Sequence, residues 1–274
     1  MQERLKYVNH LNEVIDFGRN GIYVGSSNLH DYNWSVQTKN DGISSFRKTV
    51  TSRTLPVSIF CPTVEAGVAA RNRLMEVAEK DVLAQKPGRL VVGDYYYKCY
   101  ITESKKGSYL RSRQLMEAKL TIMSDAPYWV KETTHAFRNI AEESAGKNLD
   151  FAVDHPFDYF SGIGTKELKN TDFVGTNFRM VIYGACSNPA VYVSGHLYQV
   201  NCEVDANAYL TIDSVSKRIY VTANDGTVTN VFNLRNRDSY IFKKIPPGKS
   251  IVTWDGDFGI DITLLEERSE PKWT

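Results

Sequence analysis

Apolar and polar side chains alternate along most of this chain. Over residues 30–36 and 115–122 every second side chain is apolar, which is the pattern of a half-buried β-strand. Similar short segments, among them residues 190–193, 209–213 and 240–243, recur between residues 173 and 265, with Ser-Gly and Asp-Gly turns between some of them. Short strands at this spacing are typical of a β-sandwich or jelly roll. The pattern therefore predicts a mainly β protein.

One segment departs from this alternation and repeats its apolar positions every three to four residues. Thr63 precedes it as an N-cap candidate, and Pro87-Gly88 follows it as a stop signal. The segment predicts one long amphipathic helix lying on a sheet. The predicted apolar stripe consists of Val64, Val68, Met75, Ala78 and Val82, with Leu74 and Val77 beside it.

Residues 39–54 are unusually polar for a strand pair, and Asp41-Gly42 within them is a hairpin signal. Arg47, Lys48 and Arg53 stand in Ser/Thr-rich sequence with almost no apolar face to bury. Either the segment is a solvated hairpin, or it is an arm that lies over another subunit, since a hairpin alone gains little from folding. We predict that the three basic residues contact neighbouring subunits. The alternative is that they are loose in solvent and contribute under about 1 kcal/mol each.

The length of 274 residues suits two domains. A polar stretch rich in Glu, Ala and Asn separates the two halves. We predict an N-terminal β domain at 1–135, a linker at 136–150 and a second β-sandwich domain at 151–274.

Charge and composition exclude several classes of protein. A formal charge of +1 argues against a strongly basic nucleic-acid binder. No apolar run approaches the roughly 18 residues of a membrane span, and the charged N-terminal residues lack the apolar centre of a signal peptide. Four scattered cysteines indicate reduced core thiols rather than a disulfide framework. We expect neither membrane insertion nor secretion by the signal-peptide route.

Motifs for catalysis are absent. The sequence contains no G-x-S-x-G, H-E-x-x-H, G-x-G-x-x-G or G-x-x-x-x-G-K-[ST]. His155 near Asp154 and Asp158 is interpreted as a turn histidine. Glu266 and Glu267 could suggest the paired carboxylates of a glycosidase, but adjacent strand residues point to opposite faces and cannot readily flank one bond. They are interpreted as surface charge. We predict no enzyme activity, no metal and no cofactor.

Tyrosines raise a different hypothesis. Tyr95-Tyr96-Tyr97, Tyr192 and Tyr198 are candidate platforms for sugar rings on a β-sandwich. Consecutive tyrosines on one strand alternate between its faces. About half of them are therefore expected in the core, with the hydroxyl hydrogen-bonded.

Six segments, in register along the chain, carry a resemblance to one family. In them the chain resembles the distal tail proteins (Dit) of siphophages, the phages with long non-contractile tails, and of related prophages of Gram-positive bacteria. The segments are residues 31–34 (DYNW), 99–102 (CYIT), 125–129 (DAPYW), 158–164 (DYFSGIG), 240–248 (YIFKKIPPG) and 254–273 (WDGDFGIDITLLEERSEPKW).

The resemblance implies a tail-tube-like N-terminal β-sandwich with one helix and a long hairpin, followed by a galectin-like jelly roll. Some family members carry an inserted carbohydrate-binding module, for which 274 residues leave no room. Galectins bind sugar through a His/Asn/Arg set beside a Trp. Residues 173–180 do not reproduce that set, and Trp254 has no such partners.

The resemblance also implies a structural role. Six copies would form a ring that joins the tail tube to the tail-tip or baseplate host-adhesion proteins and leaves a channel for DNA in transit. The chain would be part of the virion tail tip, assembled in the host cytoplasm. The alternative function is a carbohydrate-binding module that attaches the virion to the host cell wall, tested at Tyr192 and Tyr198.

Overall fold

The computed structural model describes residues 4–107, 115–139 and 164–272. The chain groups into two compact units, one formed by Met1–Lys131 with Glu267–Thr274 and the other by Glu132–Glu266. The limits predicted from sequence at 135 and 151 stay a prediction, and most of the predicted linker lies outside the described residues. The return of residues 267–274 to unit 1 is not part of that prediction.

Unit 1 is antiparallel β-structure with one α-helix among its described residues. Its elements are β1 (Leu5–Val8), β2 (Val14–Asp16), β3 (Ile22–Val24), β4 (Ser35–Lys39), β5 (Gly42–Arg47), β6 (Thr51–Phe60), α1 (Val64–Ala84), β7 (Gly88–Val92), β8 (Tyr95–Lys106) and β9 (Leu115–Ser124), and β10 (Trp129–Phe137) begins in it. Strands β6 and β9 pair over their full lengths, from Thr51 opposite Ser124 to Phe60 opposite Leu115.

Alternation on β6 places Leu55, Val57 and Ile59 in the core of unit 1. The neighbours on the facing strand and the helix, Leu120 and Leu74, are also buried. Burying a side chain of this size contributes roughly 1.5 to 3 kcal/mol. The core of unit 1 therefore includes the inward faces of β6 and β9 and the buried side of α1, together with residues of β1, β7 and β8.

Helix α1 begins where the sequence predicts. The Thr63 hydroxyl accepts a hydrogen bond from the Ala66 N–H at 3.2 Å, which satisfies one of the free amides of the first turn. Of the predicted apolar stripe and its neighbours, Leu74, Val77 and Ala78 are buried, whereas the prediction is wrong for Val64, Val68 and Val82, which are exposed. The buried residues of the helix are Gly67, Leu74, Val77, Ala78 and Asp81.

Asp81 lies on this buried face and is bonded to polar groups of unit 1. The Tyr7 hydroxyl donates to Asp81 Oδ2 at 2.5 Å, and the His10 N–H donates to Oδ1 at 2.9 Å. His10 Nδ1 lies 2.5 Å from the same oxygen. A Cβ at Gly88 would clash with the Asp81 carboxylate and the Tyr7 hydroxyl. A buried carboxylate needs such partners, and a count of apolar positions does not register it.

Unit 2 is a two-sheet β-sandwich. Its elements are β11 (Gly164–Asn170), β12 (Asn177–Tyr183), β13 (Cys186–Ser187), β14 (Ala190–Val193), β15 (His196–Gln199), β16 (Glu203–Val204), β17 (Tyr209–Asp213), β18 (Arg218–Thr222), β19 (Val228–Asn230), a 3₁₀ turn (Phe232–Leu234), β20 (Gly248–Trp254) and β21 (Ile260–Arg268). One sheet has the order β19-β18-β17-β12-β21, and the other has the order β11-β20-β14-β15.

Aromatic side chains pack among the aliphatic residues in the core of unit 2. The Phe178 and Tyr198 rings meet edge to face at 5.2 Å, and the buried Trp254 donates its indole N–H to the Phe258 carbonyl at 3.0 Å. The mainly β architecture with sandwich packing and one long helix confirms the predicted fold class. Residues 240–243, predicted as a strand, form a turn instead.

Candidate functional site

Strands β4 and β5 form a two-stranded hairpin that, within the described residues, pairs with no other strand. Its turn residues Asn40 and Asp41 have φ values of +48° and +61°. Two successive left-handed residues make a type I′ turn, whose twist matches the flanking strands, and Asn and Asp tolerate that conformation. The predicted hairpin therefore exists, but its bounds of 39–54 are wrong: it spans residues 35–47, and Thr51–Phe60 is β6, which pairs with β9 instead.

A bulge gives this hairpin an apolar face. Val36 lies opposite Phe46, and Thr38 lies opposite Ile43 after a register shift between Gln37 and Thr38. Val36 and Thr38 are two residues apart and share a face, so Ile43 and Phe46 lie on the Val36 side. The side chains of Val36, Ile43 and Phe46 are 50%, 62% and 57% exposed, respectively. The expectation that the arm has almost no apolar face is wrong, because sequence alternation does not reveal the bulge.

Lys48 follows the hairpin and packs against its own unit. Its Nζ donates to the Pro127 carbonyl at 3.0 Å and lies 4.4 Å from the centre of the Tyr128 ring and 5.1 Å from that of Trp34. Burial, assisted by repulsion from Arg53, lowers the pKa of Lys48 to about 8. The side chain anchors the base of the arm.

Arg53 lies inside unit 1, where it is 4% exposed. Its Nη1 donates to the Leu29 carbonyl, and its guanidinium lies 4.8 Å from the centre of the Tyr97 ring. Burial lowers the pKa of Arg53, while Tyr97 and Asp31 act in the opposite direction. A guanidinium stays charged in proteins, and this one is held by a carbonyl and an aromatic face.

Two of the segments that carry the resemblance meet around Lys48 and Arg53. Trp34 comes from residues 31–34, and Tyr128 comes from residues 125–129, which also supply Trp129. The Trp129 ring is stacked on His30 at 5.5 Å and contacts Tyr97 at 5.3 Å. The motifs therefore have a local physical role, which is to build the aromatic base under the hairpin.

Of the three basic residues proposed as subunit contacts, the structure leaves Arg47 exposed, Lys48 half-buried and Arg53 buried. The structure brings Lys48 and Arg53 together at the base and places Arg47 at the end of β5. Subunit contact through these residues stays a prediction. Arg47 is the candidate that remains, because it is the exposed one of the three. The exposed residues that sequence reasoning missed are Val36, Ile43 and Phe46.

The tyrosine candidates separate into two groups. Tyr97 and Tyr198 are in the cores of their units, and the Tyr198 hydroxyl donates to the Lys243 carbonyl at 2.7 Å. Tyr192 lies opposite Leu197, one register step from the pair of Val191 and Tyr198, so it faces outward. Tyr192 and Tyr198 therefore do not form one platform.

The other chemical candidates lead to no site in the described residues. Glu266 is buried and accepts a hydrogen bond from the Thr171 hydroxyl at 2.7 Å, so the interpretation of it as surface charge is wrong. His155, Asp154 and Asp158 lie outside the described residues. Within residues 4–107, 115–139 and 164–272, no three His, Cys, Asp or Glu side chains converge as metal ligands do. No helix in that part of the chain is both long enough and apolar enough to cross a membrane.

Solved structures of phage proteins have the same fold. The chain is similar to the Dit protein (gp 19.1) of phage SPP1, described as a paradigm of hub adsorption apparatus in Gram-positive infecting phages. That match has 10% identity and a TM-score of 0.58, and it covers 97% of this chain and 99% of that chain.

A chain of the phage P2 baseplate, in its activated conformation with Ca, matches with 13% identity and a TM-score of 0.63, covering 99% of this chain and 100% of that chain. The same baseplate with Sr gives 14% identity, a TM-score of 0.63 and the same coverage. No protein-family model and no curated protein matches the chain. At these identities the likeness establishes the fold.

Proposed function

We propose that this chain, which has the fold of SPP1 Dit, is a distal tail protein. Six copies form a ring that joins the tail tube to tail-tip or baseplate host-adhesion proteins, and its role is structural rather than enzymatic. The observation that carries the proposal is the extent of the likeness: it covers 97% of this chain and 99% of SPP1 Dit and therefore includes both units. The chain would be located at the virion tail tip, after assembly in the host cytoplasm.

The hairpin supplies a contact suited to such a ring. A two-stranded hairpin has marginal stability alone, and this one presents Val36, Ile43 and Phe46 on one uncovered face. Burying three side chains of this size against a neighbour would contribute several kcal/mol at roughly 25 cal/mol per Å². A head-to-tail contact of this kind generates a ring when its rotation closes. Arg47 follows Phe46 in β5 and points to the opposite face, so it would contact a neighbour at the edge of the hairpin and not within the apolar face.

The basic residues at the base fit a channel that must release DNA. Each free cation facing the DNA adds salt-dependent affinity, and a ring repeats every contact. Lys48 and Arg53 are bound to carbonyls and aromatic rings of their own unit. They would therefore add little attraction for DNA in transit.

Sedimentation velocity and native mass spectrometry across a concentration series test the ring. We expect the full chain to form hexamers at high concentration. The double variant Ile43→Ser/Phe46→Ser should need at least about tenfold more protein to do so, since every 1.4 kcal/mol is a factor of ten. Its Tm should stay within about 2 °C of the original, as expected for exposed positions.

The matched control is Val228→Ser/Ile251→Ser, which changes two apolar side chains, each 61% exposed, in unit 2. It should assemble like the original chain. A chain that stays monomeric at high concentration, or an Ile43→Ser/Phe46→Ser variant that assembles normally, contradicts the proposal.

A further inference from the structure

A pocket of about 460 Å³ lies in unit 2, between the 3₁₀ turn, the loop that follows it and the turn from β17 to β18. Its volume is within the range of sites for small ligands. The lining includes three basic residues, Lys217, Arg235 and Arg237, and the rings of Phe232, Tyr240 and Phe242. Among the described residues, no Asp or Glu lines it. Cations and aromatic rings therefore dominate its chemistry.

The rings form a corner with an exposed edge. Phe232 and Phe242 are stacked at 6.1 Å with planes 18° apart, and Tyr240 meets Phe242 nearly perpendicularly at 6.0 Å. Phe242 is buried and forms the floor, whereas Tyr240 is 61% exposed. A flat ring exposed to this extent at a pocket wall offers the kind of surface on which the C–H face of a sugar ring packs.

The cations are held over these rings. Lys217 Nζ lies 5.2 Å from the centre of the Phe242 ring and 5.7 Å from that of Tyr240. Arg235 Cζ lies 4.0 Å from the centre of the Phe232 ring, and its Nη1 donates to the Phe232 carbonyl at 2.8 Å. Both groups keep further N–H donors that can bind an anion.

The loop that carries these residues is fixed from behind. The Asn236 side chain donates to Gln199 Oε1 at 2.8 Å, and the Ser239 hydroxyl donates to the Leu197 carbonyl at 2.6 Å. On its other side, the Lys243 N–H donates to the Tyr240 carbonyl. Strand β15 therefore supports the pocket from its back, so little ordering is needed when a ligand binds.

We propose that this pocket binds an anionic carbohydrate, meaning a sugar or polyol unit that carries a phosphate or a carboxylate. Lys217, Arg235 and Arg237 bind the anion, and Tyr240 packs against the carbon face of the ring or chain. The surrounding segment extends the positive charge, because residues 232–249 contain five Lys and Arg residues against one Asp. A polymer with repeating anionic units would gain from this extension.

The size of the pocket favours this ligand over an acidic protein surface. A stable protein interface buries about 800 Å² on each partner around an apolar centre. Here the exposed apolar residue of the lining is Tyr240, and the adjoining segments add two single exposed apolar side chains, Leu234 and Val215. One or two units of a polyanionic glycan match that extent. The pocket lies within a single unit, so the proposal does not depend on the ring.

Ligand-observed NMR titration of the full chain tests the proposal. The probes are glucose 1-phosphate, a glycerol phosphate oligomer, glucose, inorganic phosphate and a pentaglutamate peptide. Glucose 1-phosphate should bind at least about fivefold more tightly than glucose or inorganic phosphate, since one extra contact of about 1 kcal/mol has that effect. Tighter binding of the oligomer than of the monomer would assign the source as a polymer, and equal binding would assign it as a free sugar phosphate. Raising NaCl from 0.05 to 0.5 M should weaken binding by about fivefold or more.

Variants locate the site. Lys217→Met and Tyr240→Ala should each weaken glucose 1-phosphate binding by about fivefold, a typical loss for a charge or stacking contact. Lys169→Met and Tyr192→Ala are the controls, since they change exposed residues of the same types elsewhere in unit 2, and they should have no effect. Failure of every probe to bind, equal affinity for glucose 1-phosphate and phosphate, preference for pentaglutamate, or insensitivity to both pocket variants would overturn the proposal.

Discussion

Two strand pairs of unit 1 each bring apolar side chains to one face and have opposite surroundings. In β6 and β9 the inward side chains, such as Leu55 and Leu120, are completely buried. In β4 and β5 the apolar residues Ile43 and Phe46 are about as exposed as the polar ones. An apolar face of a strand pair is therefore not always a core face, because whether it is covered depends on other parts of the fold or on another chain.

The sharpest test of this comparison replaces one aliphatic side chain in each pair. Leu55→Ala removes buried methyl groups and leaves a cavity, so it should lower the free energy of unfolding by about 2 to 5 kcal/mol. Ile43→Ala should lower it by less than about 0.5 kcal/mol, because the side chain is exposed. Urea denaturation at a concentration where the chain is monomeric measures both. Equal losses would mean that the hairpin face is already covered within one chain.

A second test compares two arginines of the arm region. Arg53→Met leaves the Leu29 carbonyl without its donor and removes the contact with the Tyr97 ring, so about 2 to 3 kcal/mol of stability should be lost. Arg47→Met should cost less than about 0.5 kcal/mol in the monomer. Thermal unfolding of both variants alongside the original chain shows the difference. An Arg47 variant as unstable as the Arg53 variant would show that Arg47 packs within its own chain.

The smallest effect is a pH dependence at the base of the hairpin. The pKa of Lys48 is lowered to about 8 in the folded chain and returns to about 10.4 on unfolding. Between these values the unfolded chain binds more protons, so this residue makes stability rise with pH above about 8. Lys48→Met removes that contribution. The stability of the original chain relative to the variant should therefore increase from pH 7.5 to pH 9.5 in parallel urea titrations, and a constant difference would contradict the shift.

Local signals account for the elements that the sequence predicts well. Strands at 190–193 and 209–213 and the Thr63 cap follow from alternation and capping chemistry. The burial of Asp81 on α1 was beyond such signals, since Asp81 is stabilised by Tyr7 and His10, which lie more than 70 positions away. The burial of Arg53 depends likewise on Leu29 and Tyr97. Long-range partners of polar groups leave no local pattern.

In the pocket of unit 2, local sequence patterns also fail to predict the structure. Residues 240–243 have the composition of a strand, yet they form a turn, because Tyr240 and Lys243 are hydrogen-bonded to each other through the backbone. A turn there exposes Tyr240 instead of pairing it in a sheet. Local rules tend to fail where a loop presents a binding surface.

The return of Glu267–Thr274 to unit 1 has a consequence for the order in which the protein can be completed. A ribosome that has finished Lys131 must still make all of Glu132–Glu266 before it adds the segment that rejoins unit 1. At 5 to 20 residues per second this is a delay on the order of 10 s. During that interval unit 1, with its hairpin already made, waits for its closing segment. Strand β21 runs from Ile260 to Arg268, so a single strand supplies both the last partner of β12 in unit 2 and the first residues that rejoin unit 1.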